Sequence, residues 1–313
     1  MKIAILGAGG VGGYFGARLA ASGEEVHFIA RGEHLTAMRR DGLRVLSANG
    51  DVLVKPVRAT DQPAEVGPVD LVVVTVKLWS TEDALRDARP LVGTQTALVS
   101  FQNGVVATDL IAQAYGRHRT LGGVANIAAV IERPGVIRHT GTMAVLSIGE
   151  LDGTASARCT AFVDACTKAA IQARVSDAIE KTIWEKYVFL VAASSMTTLT
   201  RLPLGPIRED PDTRALTAQV MSEVVTVGKA KGVPLDADLV ERLLQRLDGM
   251  PREMVASMLG DLERGNRLEL PWLAGGVVQM GKALGVATPA NGFVLAALKH
   301  YINGHPADAR TKT

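Results

Sequence analysis

The sequence has few of the features that mark secreted, membrane-spanning or metal-binding proteins. Only two cysteines occur among its 313 residues, and without a CxxC pattern they predict a reduced, cytoplasmic protein. The longest uninterrupted apolar run, Tyr187–Ala193, is far shorter than the ~20 residues of a bilayer span, so we expect no membrane partner. The six histidines show no metal-ligand spacing, and no metal site is predicted.

An excess of charge of one sign is also missing. The chain has 34 lysines and arginines against 32 aspartates and glutamates, a formal net charge of +2. This net charge is too small to create the strong positive electrostatic field that binds a polyanion, so we expect no nucleic-acid partner. The hydrophobic content of 47% excludes general disorder, and the length predicts about two domains.

Strand and helix patterns alternate through the first half of the chain. Four short β runs occur there, at residues 3–6, 25–30, 70–76 and 96–100. An apolar helical stretch at 11–21 follows the glycines after the first run, and a helix is predicted around 82–88, before the last run. This alternation predicts a parallel sheet with crossover helices. From residue 122 to 149, alternating β residues around a Pro134-Gly135 turn predict an antiparallel appendage to that sheet.

The second half contains helical patterns separated by proline and glycine. Six helices are predicted, at residues 177–200, 213–231, 236–247, 252–262, 272–284 and 291–302. The predicted fold is therefore α/β plus all-α. A Rossmann-like dinucleotide-binding domain with its appendage covers residues 1–176, and an all-helical domain for substrate binding covers residues 177–313. That this second domain also forms a homodimer is a hypothesis that the sequence leaves open.

A glycine-rich turn with the spacing G-x-G-x-x-G follows the first strand. Its residues are Gly7, Ala8, Gly9, Gly10, Val11 and Gly12. In such a turn the first glycine allows the tight bend, the second lets the backbone approach a pyrophosphate, and the third permits close packing of strand and helix. The helix N-terminus offers unpaired N–H groups to the phosphates. The motif predicts a dinucleotide site, the alternative being a glycine-rich turn without a ligand.

Basic residues follow the next strands of the predicted sheet. Arg31 ends the second strand, where an acid accepts from the ribose 2′-hydroxyl of NAD and an arginine accommodates the 2′-phosphate of NADP. A guanidinium pairs bidentately with phosphate, so the sequence favours NADP(H) as cofactor. Lys77 ends the third long strand and is a second candidate for cofactor contact. The alternative for both residues is a solvated side chain.

Motifs along the whole chain, in a specific order, resemble the ketopantoate reductase (2-dehydropantoate 2-reductase) family. They are Gly7–Gly12, Arg31, Val74–Lys77, Gln102–Gly104, Trp184–Lys186, Ser257–Asp261 and Leu268–Glu269. The resemblance implies a Rossmann domain, a helical domain and a cleft between them. It also implies the NADPH-dependent reduction of ketopantoate, a 2-oxoacid, to pantoate in the biosynthesis of pantothenate and coenzyme A.

The resemblance further implies roles for individual residues. Lys186 falls on the general acid of the family, and Glu269 on the glutamate that supports this lysine and contacts the cofactor. Asn103 falls near nicotinamide and substrate. Ser257 falls on the serine that binds the substrate carboxylate, and Asp261 on an aspartate near the substrate. For each of them the alternative is an ordinary helix or turn residue.

The sequence departs from the family pattern at two positions. Similar reductases often carry asparagines four and eight residues after the lysine, where this chain has Leu190 and Ser194. On a helix both would share a face with Lys186, so the face toward the substrate is less polar. We expect weak binding of ketopantoate, or a preference for another branched 2-oxoacid, unless Ser195 or Thr198 supplies the missing contact. A nonenzymatic NADP-binding sensor is a third hypothesis, which Lys186 and Glu269 disfavour.

Overall fold

The computed structural model describes residues 1–306. The chain divides into two compact units, Met1–Thr182 and Ile183–Thr313, called here the first and the second unit. The boundary expected from the sequence, after residue 176, lies just before a helix at Ile179–Thr200 (α6), whose first turn belongs to the first unit.

The first unit is built on a mixed sheet with ten strands among the described residues. The strands are β1 (Lys2–Leu6), β2 (Glu25–Ile29), β3 (Leu43–Leu46), β4 (Val52–Val54), β5 (Ala59–Thr60), β6 (Leu71–Val74), β7 (Ala97–Ser100), β8 (Thr120–Arg133), β9 (Val136–Glu150) and β10 (Gln172–Val175). Their order is β4-β3-β9-β8-β7-β6-β1-β2-β5, with β10 beside β9. The pairs from β5 through β2, β1, β6 and β7 to β8 are parallel, whereas β8 and β9 form a long antiparallel hairpin. The predicted Rossmann-like sheet with an antiparallel appendage is confirmed.

Both faces of the parallel sheet are covered by apolar side chains. In β1, Ile3 and Ile5 belong to one buried cluster, and Ala4 and Leu6 belong to another. The strand β6 is buried along its whole length, as a continuous run of Leu and Val predicts for a central parallel strand. Five helices cross over or flank the sheet, α1 (Gly10–Ala21), α2 (Gly32–Asp41), α3 (Thr81–Asp87), α4 (Val106–Tyr115) and α5 (Ala157–Lys168).

Two strands end earlier than the sequence predicts. β6 ends at Val74 rather than Val76, because the Thr75 hydroxyl turns to the carbonyl oxygens of Leu6 and Gly7 at 3.2 and 2.8 Å. β2 ends at Ile29 rather than at residue 30. Arg31 is the residue directly before α2, a helix that is not predicted from the sequence.

The second unit is helical, as predicted. Its first helix is α6, which begins in the first unit. The other helices are α7 (Leu204–Glu209), α8 (Pro211–Ala230), α9 (Leu239–Asp248), α10 (Ser257–Glu263), α11 (Ala274–Leu284) and α12 (Pro289–Leu298). The helix predicted at 252–262 begins only at Ser257, because the carbonyls of Arg252 and Met254 accept hydrogen bonds from the start of α7. The helix predicted at 272–284 begins only at Ala274, and residues 271–273 form a turn before it.

Both cysteines lie on α5 and are buried and free, as expected. Burial raises the pKa of the Cys166 thiol to about 12, so this thiol stays protonated and unreactive near neutrality. In the part of the chain that the structure describes, no helix has the length and apolar character needed to cross a membrane.

Candidate active site

The glycine-rich turn joins β1 to helix α1. Gly7 has a φ of +97°, a left-handed conformation that favours glycine, and its N–H donates to the carbonyl of Ile29 on the neighbouring strand β2. Helix α1 begins at Gly10, and the preceding residue, Gly9, supplies no side chain to cap it. The N–H groups of the first helical turn are therefore left for another acceptor, and a phosphate is the acceptor that such a turn suits best.

The glycines of the motif are required for two different reasons. A Cβ at Gly12 would lie 2.2 Å from the carbonyl oxygen of Gly7 and 2.3 Å from the Thr75 hydroxyl, and one at Gly10 would lie 2.0 Å from the carbonyl oxygen of Ala129. A Cβ at Gly9 would meet no atom within 4 Å. The protein itself does not need glycine at position 9. The open space there is the place where the motif brings the backbone against a pyrophosphate, so the residues present fit a dinucleotide.

Arg31 follows β2 at the edge of the sheet where β1 and β2 both end. Leu6 and Ile29 are register partners in this parallel pair, so the glycine turn and Arg31 emerge side by side. The Arg31 side chain is exposed and makes no hydrogen bond or ion pair with the rest of residues 1–306. It is therefore available to an anionic ligand.

Lys77 also follows a strand at this edge, but not directly as predicted. It lies three residues beyond the end of β6 and precedes a short 3-10 helix, Leu78–Ser80. Its side chain is exposed, with the ammonium nitrogen 5.6 Å from the centre of the Trp79 ring. The lysine stands on a loop rather than on a strand, because the Thr75 contact turns the chain earlier.

Asn103 lies in the loop after β7, and the preceding residue holds this loop in place. The Gln102 amide donates to the carbonyl of Val76 at 2.7 Å and to the Thr81 hydroxyl at 2.8 Å. Gly104 has a φ of +83°, so the Asn-Gly pair forms a turn that other residues would strain. The loops after β6 and β7, with Lys77 and Asn103, are thus joined at the carboxyl edge of the sheet. No role for Gln102 is predicted from the sequence.

A histidine that the sequence analysis left without a role also fixes the glycine turn. The Nε2–H of His34 donates to the carbonyl of Ala8 at 2.9 Å, and its Nδ1 accepts from the N–H of Gly135 at 3.1 Å. Because Nδ1 accepts a hydrogen bond, the ring is neutral, and burial lowers the pKa of His34 in agreement with this. The imidazole joins the glycine turn to helix α2 and to the β8–β9 hairpin. Its partners are distant in sequence, so no local pattern could have identified it.

In the second unit, Lys186 lies on α6 in a charged but poorly solvated setting. Burial lowers the pKa of Lys186 to about 8, the negative charge of Glu269 raises it, and the positive charge of Arg246 lowers it. Glu269 is buried in the turn before α11, between two fully buried leucines. A lysine with a pKa near 8 is protonated at neutral pH and still gives up its proton readily, as a general acid must.

The other residues predicted for substrate contact occupy different settings in this unit. Ser257 is exposed at the first position of α10. Asp261 is buried, and its Oδ1 accepts from the Arg264 guanidinium at 3.1 Å and the Asn266 amide at 3.2 Å. These two contacts stabilise the turn after α10 and are a structural function for Asp261.

Leu190 and Ser194 follow Lys186 on α6 at successive turns. Leu190 is partly exposed, whereas Ser194 is buried. The hydroxyls of Ser194, Ser195 and Thr198 are all buried, and none has a hydrogen-bond partner among the described residues. An unsatisfied buried hydroxyl lowers the stability of a protein by roughly 1–3 kcal/mol. A hydrogen bond from a ligand or a water molecule to any of these three hydroxyls would remove that cost.

Comparison with known proteins identifies the family. The family model "Ketopantoate reductase PanE/ApbA" matches residues 3–153, and "Ketopantoate reductase PanE/ApbA C terminal" matches residues 178–302. The chain belongs to the ketopantoate reductase family. As a member it is an oxidoreductase of the class acting on CH–OH groups.

Individual relatives match along nearly the whole chain. An uncharacterized oxidoreductase of Bacillus subtilis, YkpB, is 32% identical over 96% of this chain and 99% of its own. A 2-dehydropantoate 2-reductase of Mesorhizobium japonicum is 35% identical over 96% and 97%. The crystal structure of a PanE/ApbA family ketopantoate reductase from Ralstonia eutropha has a TM-score of 0.87 at 31% identity, over 96% and 98%. A ternary structure of D-mandelate dehydrogenase, with a TM-score of 0.86, covers 96% and 98% but is only 23% identical and shows the shared fold alone.

The contrast between Gly9 and Gly12 predicts separate effects on binding and stability. Gly9→Ala should leave the melting temperature within a few degrees of wild type, because its Cβ enters open space, and should weaken binding of the dinucleotide by about tenfold or more. Gly12→Ala, the matched control, should lower the free energy of unfolding by about 3 kcal/mol because its Cβ overlaps backbone. Thermal denaturation and fluorescence titration with NADPH measure both effects. Unchanged NADPH affinity in Gly9→Ala would contradict the placement of the phosphates.

Proposed function

We propose that the protein catalyses the NADPH-dependent reduction of a 2-oxoacid to a 2-hydroxyacid, with ketopantoate as the substrate and pantoate as the product. This step belongs to pantothenate and coenzyme A biosynthesis. The observation that carries the proposal is Lys186, whose pKa of about 8 and neighbouring carboxylate, Glu269, suit a proton donor to a ketone oxygen.

The first unit provides the residues that would hold the cofactor. The turn Gly7–Gly12 would bind the pyrophosphate through backbone N–H groups, and Arg31 would pair with the 2′-phosphate. Lys77 and Asn103, on the loops after β6 and β7, would contact the remainder of the dinucleotide. The D-mandelate dehydrogenase neighbour is described with NADH, so the choice of NADPH rests on Arg31 and not on the shared fold.

The reaction requires a proton on the oxygen as a hydride reaches the carbon of the ketone. NADPH supplies the hydride when it is bound. The Lys186 ammonium donates a hydrogen bond to the ketone oxygen, stabilises the negative charge that develops there and transfers the proton. Glu269 keeps the ammonium protonated, because its carboxylate opposes the effect of burial on the lysine. Ser257 would orient the substrate by its carboxylate.

A second candidate function differs from the first in the side chain of the substrate. Leu190 offers no polar contact to the hydroxyl of ketopantoate, which favours another branched 2-oxoacid without that hydroxyl. The unpartnered hydroxyls of Ser194, Ser195 and Thr198 on the same helix are polar groups that favour ketopantoate. A comparison of ketopantoate with its deoxy analogue in one assay decides between the two candidates.

Arg31 predicts the preference between the two cofactors. Arg31→Ala should weaken NADPH binding about ten- to a hundredfold, since a charge-assisted hydrogen bond contributes about 1.5–3 kcal/mol, and should leave NADH binding nearly unchanged. Fluorescence titration with both cofactors measures the difference. Equal dissociation constants for NADPH and NADH in the wild-type protein would contradict the assignment of the 2′-phosphate site.

The role proposed for Lys186 predicts how its replacement changes the rate of the reduction. Wild-type protein should consume NADPH with at least one member of a panel of 2-oxoacids that includes ketopantoate and its deoxy analogue. Lys186→Ala should lower kcat by about 10²-fold or more with little change in NADPH affinity, and Lys186→Arg should restore little, because a guanidinium is a poor proton donor. If no 2-oxoacid is reduced by the wild type, or if Lys186→Ala turns over normally, the proposed reaction or its proton donor is wrong.

A further inference from the structure

Lys186 lies near charges of both signs. The negative charge of Glu269 and the positive charge of Arg246 both act on its ammonium group. The two cations repel each other, and an anion bound beside the exposed Arg246 guanidinium would offset that repulsion. A ligand with a carboxylate would supply such an anion.

The packing of α9 against α6 holds Arg246 near the part of α6 that carries Lys186 and Phe189. Leu247, at the end of α9, clusters with Ala193 of α6, and Phe189 of α6 packs against that cluster. The guanidinium carbon of Arg246 lies 5.2 Å from the centre of the Phe189 ring. Phe189 is three residues after Lys186, so it and the lysine lie on neighbouring positions of one helix face.

Arg246 differs from the other arginine on its helix in having no acidic partner. Arg242, one turn earlier on α9, pairs with Asp236 at 2.7 Å, Asp238 at 3.3 Å and Glu185 at 3.7 Å. The guanidinium of Arg246 makes no hydrogen bond or ion pair within residues 1–306, and its contacts are the Phe189 ring and the charge of Lys186. A guanidinium stacked on an aromatic ring keeps its N–H edge free for a planar anion.

We propose that Arg246 binds the carboxylate of the 2-oxoacid, in addition to Ser257, and is a specificity-determining residue of this enzyme. The inference rests on the proposed function and adds the residue that recognises the acid group. A bidentate guanidinium–carboxylate pair fixes the plane of the 2-oxoacid, so that its ketone oxygen can meet the Lys186 ammonium.

The test measures carboxylate binding separately from turnover. Oxamate, a carboxylate of 2-oxoacid shape that is not reduced, is titrated calorimetrically into the full-length protein saturated with NADPH. Arg246→Ala should weaken oxamate binding by about tenfold or more, and Arg246→Lys should retain part of the affinity as a point charge. Arg242→Ala, which removes the same charge one turn away, should stay within about twofold of wild type. Where a 2-oxoacid is reduced, Arg246→Ala should raise KM much more than it lowers kcat, with unchanged affinity for NADPH.

The two proposals fail in different ways. If the wild type binds oxamate through Arg246 but reduces no 2-oxoacid, the proposed function is wrong and the carboxylate site stands. If the wild type reduces 2-oxoacids and Arg246→Ala binds oxamate within about twofold of wild type, the inference about Arg246 is overturned. Absence of oxamate binding in the wild type, or equal losses in Arg246→Ala and Arg242→Ala, overturns it as well.

Discussion

The close approach of helix α1 to the end of β1 is the constraint on which the first unit depends. There is no room for a side chain at Gly12, where the helix meets the carbonyl of Gly7 and the hydroxyl of Thr75. The same Thr75 hydroxyl ties this turn to the end of β6, and His34 ties it to α2 and the β8–β9 hairpin. These contacts fix the glycine turn, so a ligand in the open space at Gly9 would meet N–H groups that are already oriented.

The second unit contributes charged side chains, whereas the first unit contributes backbone N–H groups. Two of its helices and the turn before α11 bring Lys186, Arg246 and Glu269 close enough for the last two to shift the pKa of the first. A carboxylate and a second cation that both act on Lys186 suit a reaction in which an anionic substrate is held while a proton leaves the lysine.

Local patterns predicted much of this fold and part of its site. The glycine turn, the buried strands and the all-helical second unit were predicted because glycine spacing and apolar periodicity are encoded over a few residues. Strand ends were predicted too long, since the bond from Thr75 to Leu6 joins distant segments. The contacts of His34 with Ala8 and Gly135 and of Arg246 with Phe189 were not predicted, because these partners are far away in sequence.

The pH dependence of kcat/KM for the reduction of a 2-oxoacid tests the central claim most directly. With Lys186 as the proton donor, kcat/KM should fall as the pH rises through about 8, where the lysine loses its proton. Glu269→Gln should move this fall to lower pH, because removal of the carboxylate lowers the pKa of Lys186 further. A profile that is flat from about pH 6 to about pH 10, or one that Glu269→Gln leaves in place, would contradict the account.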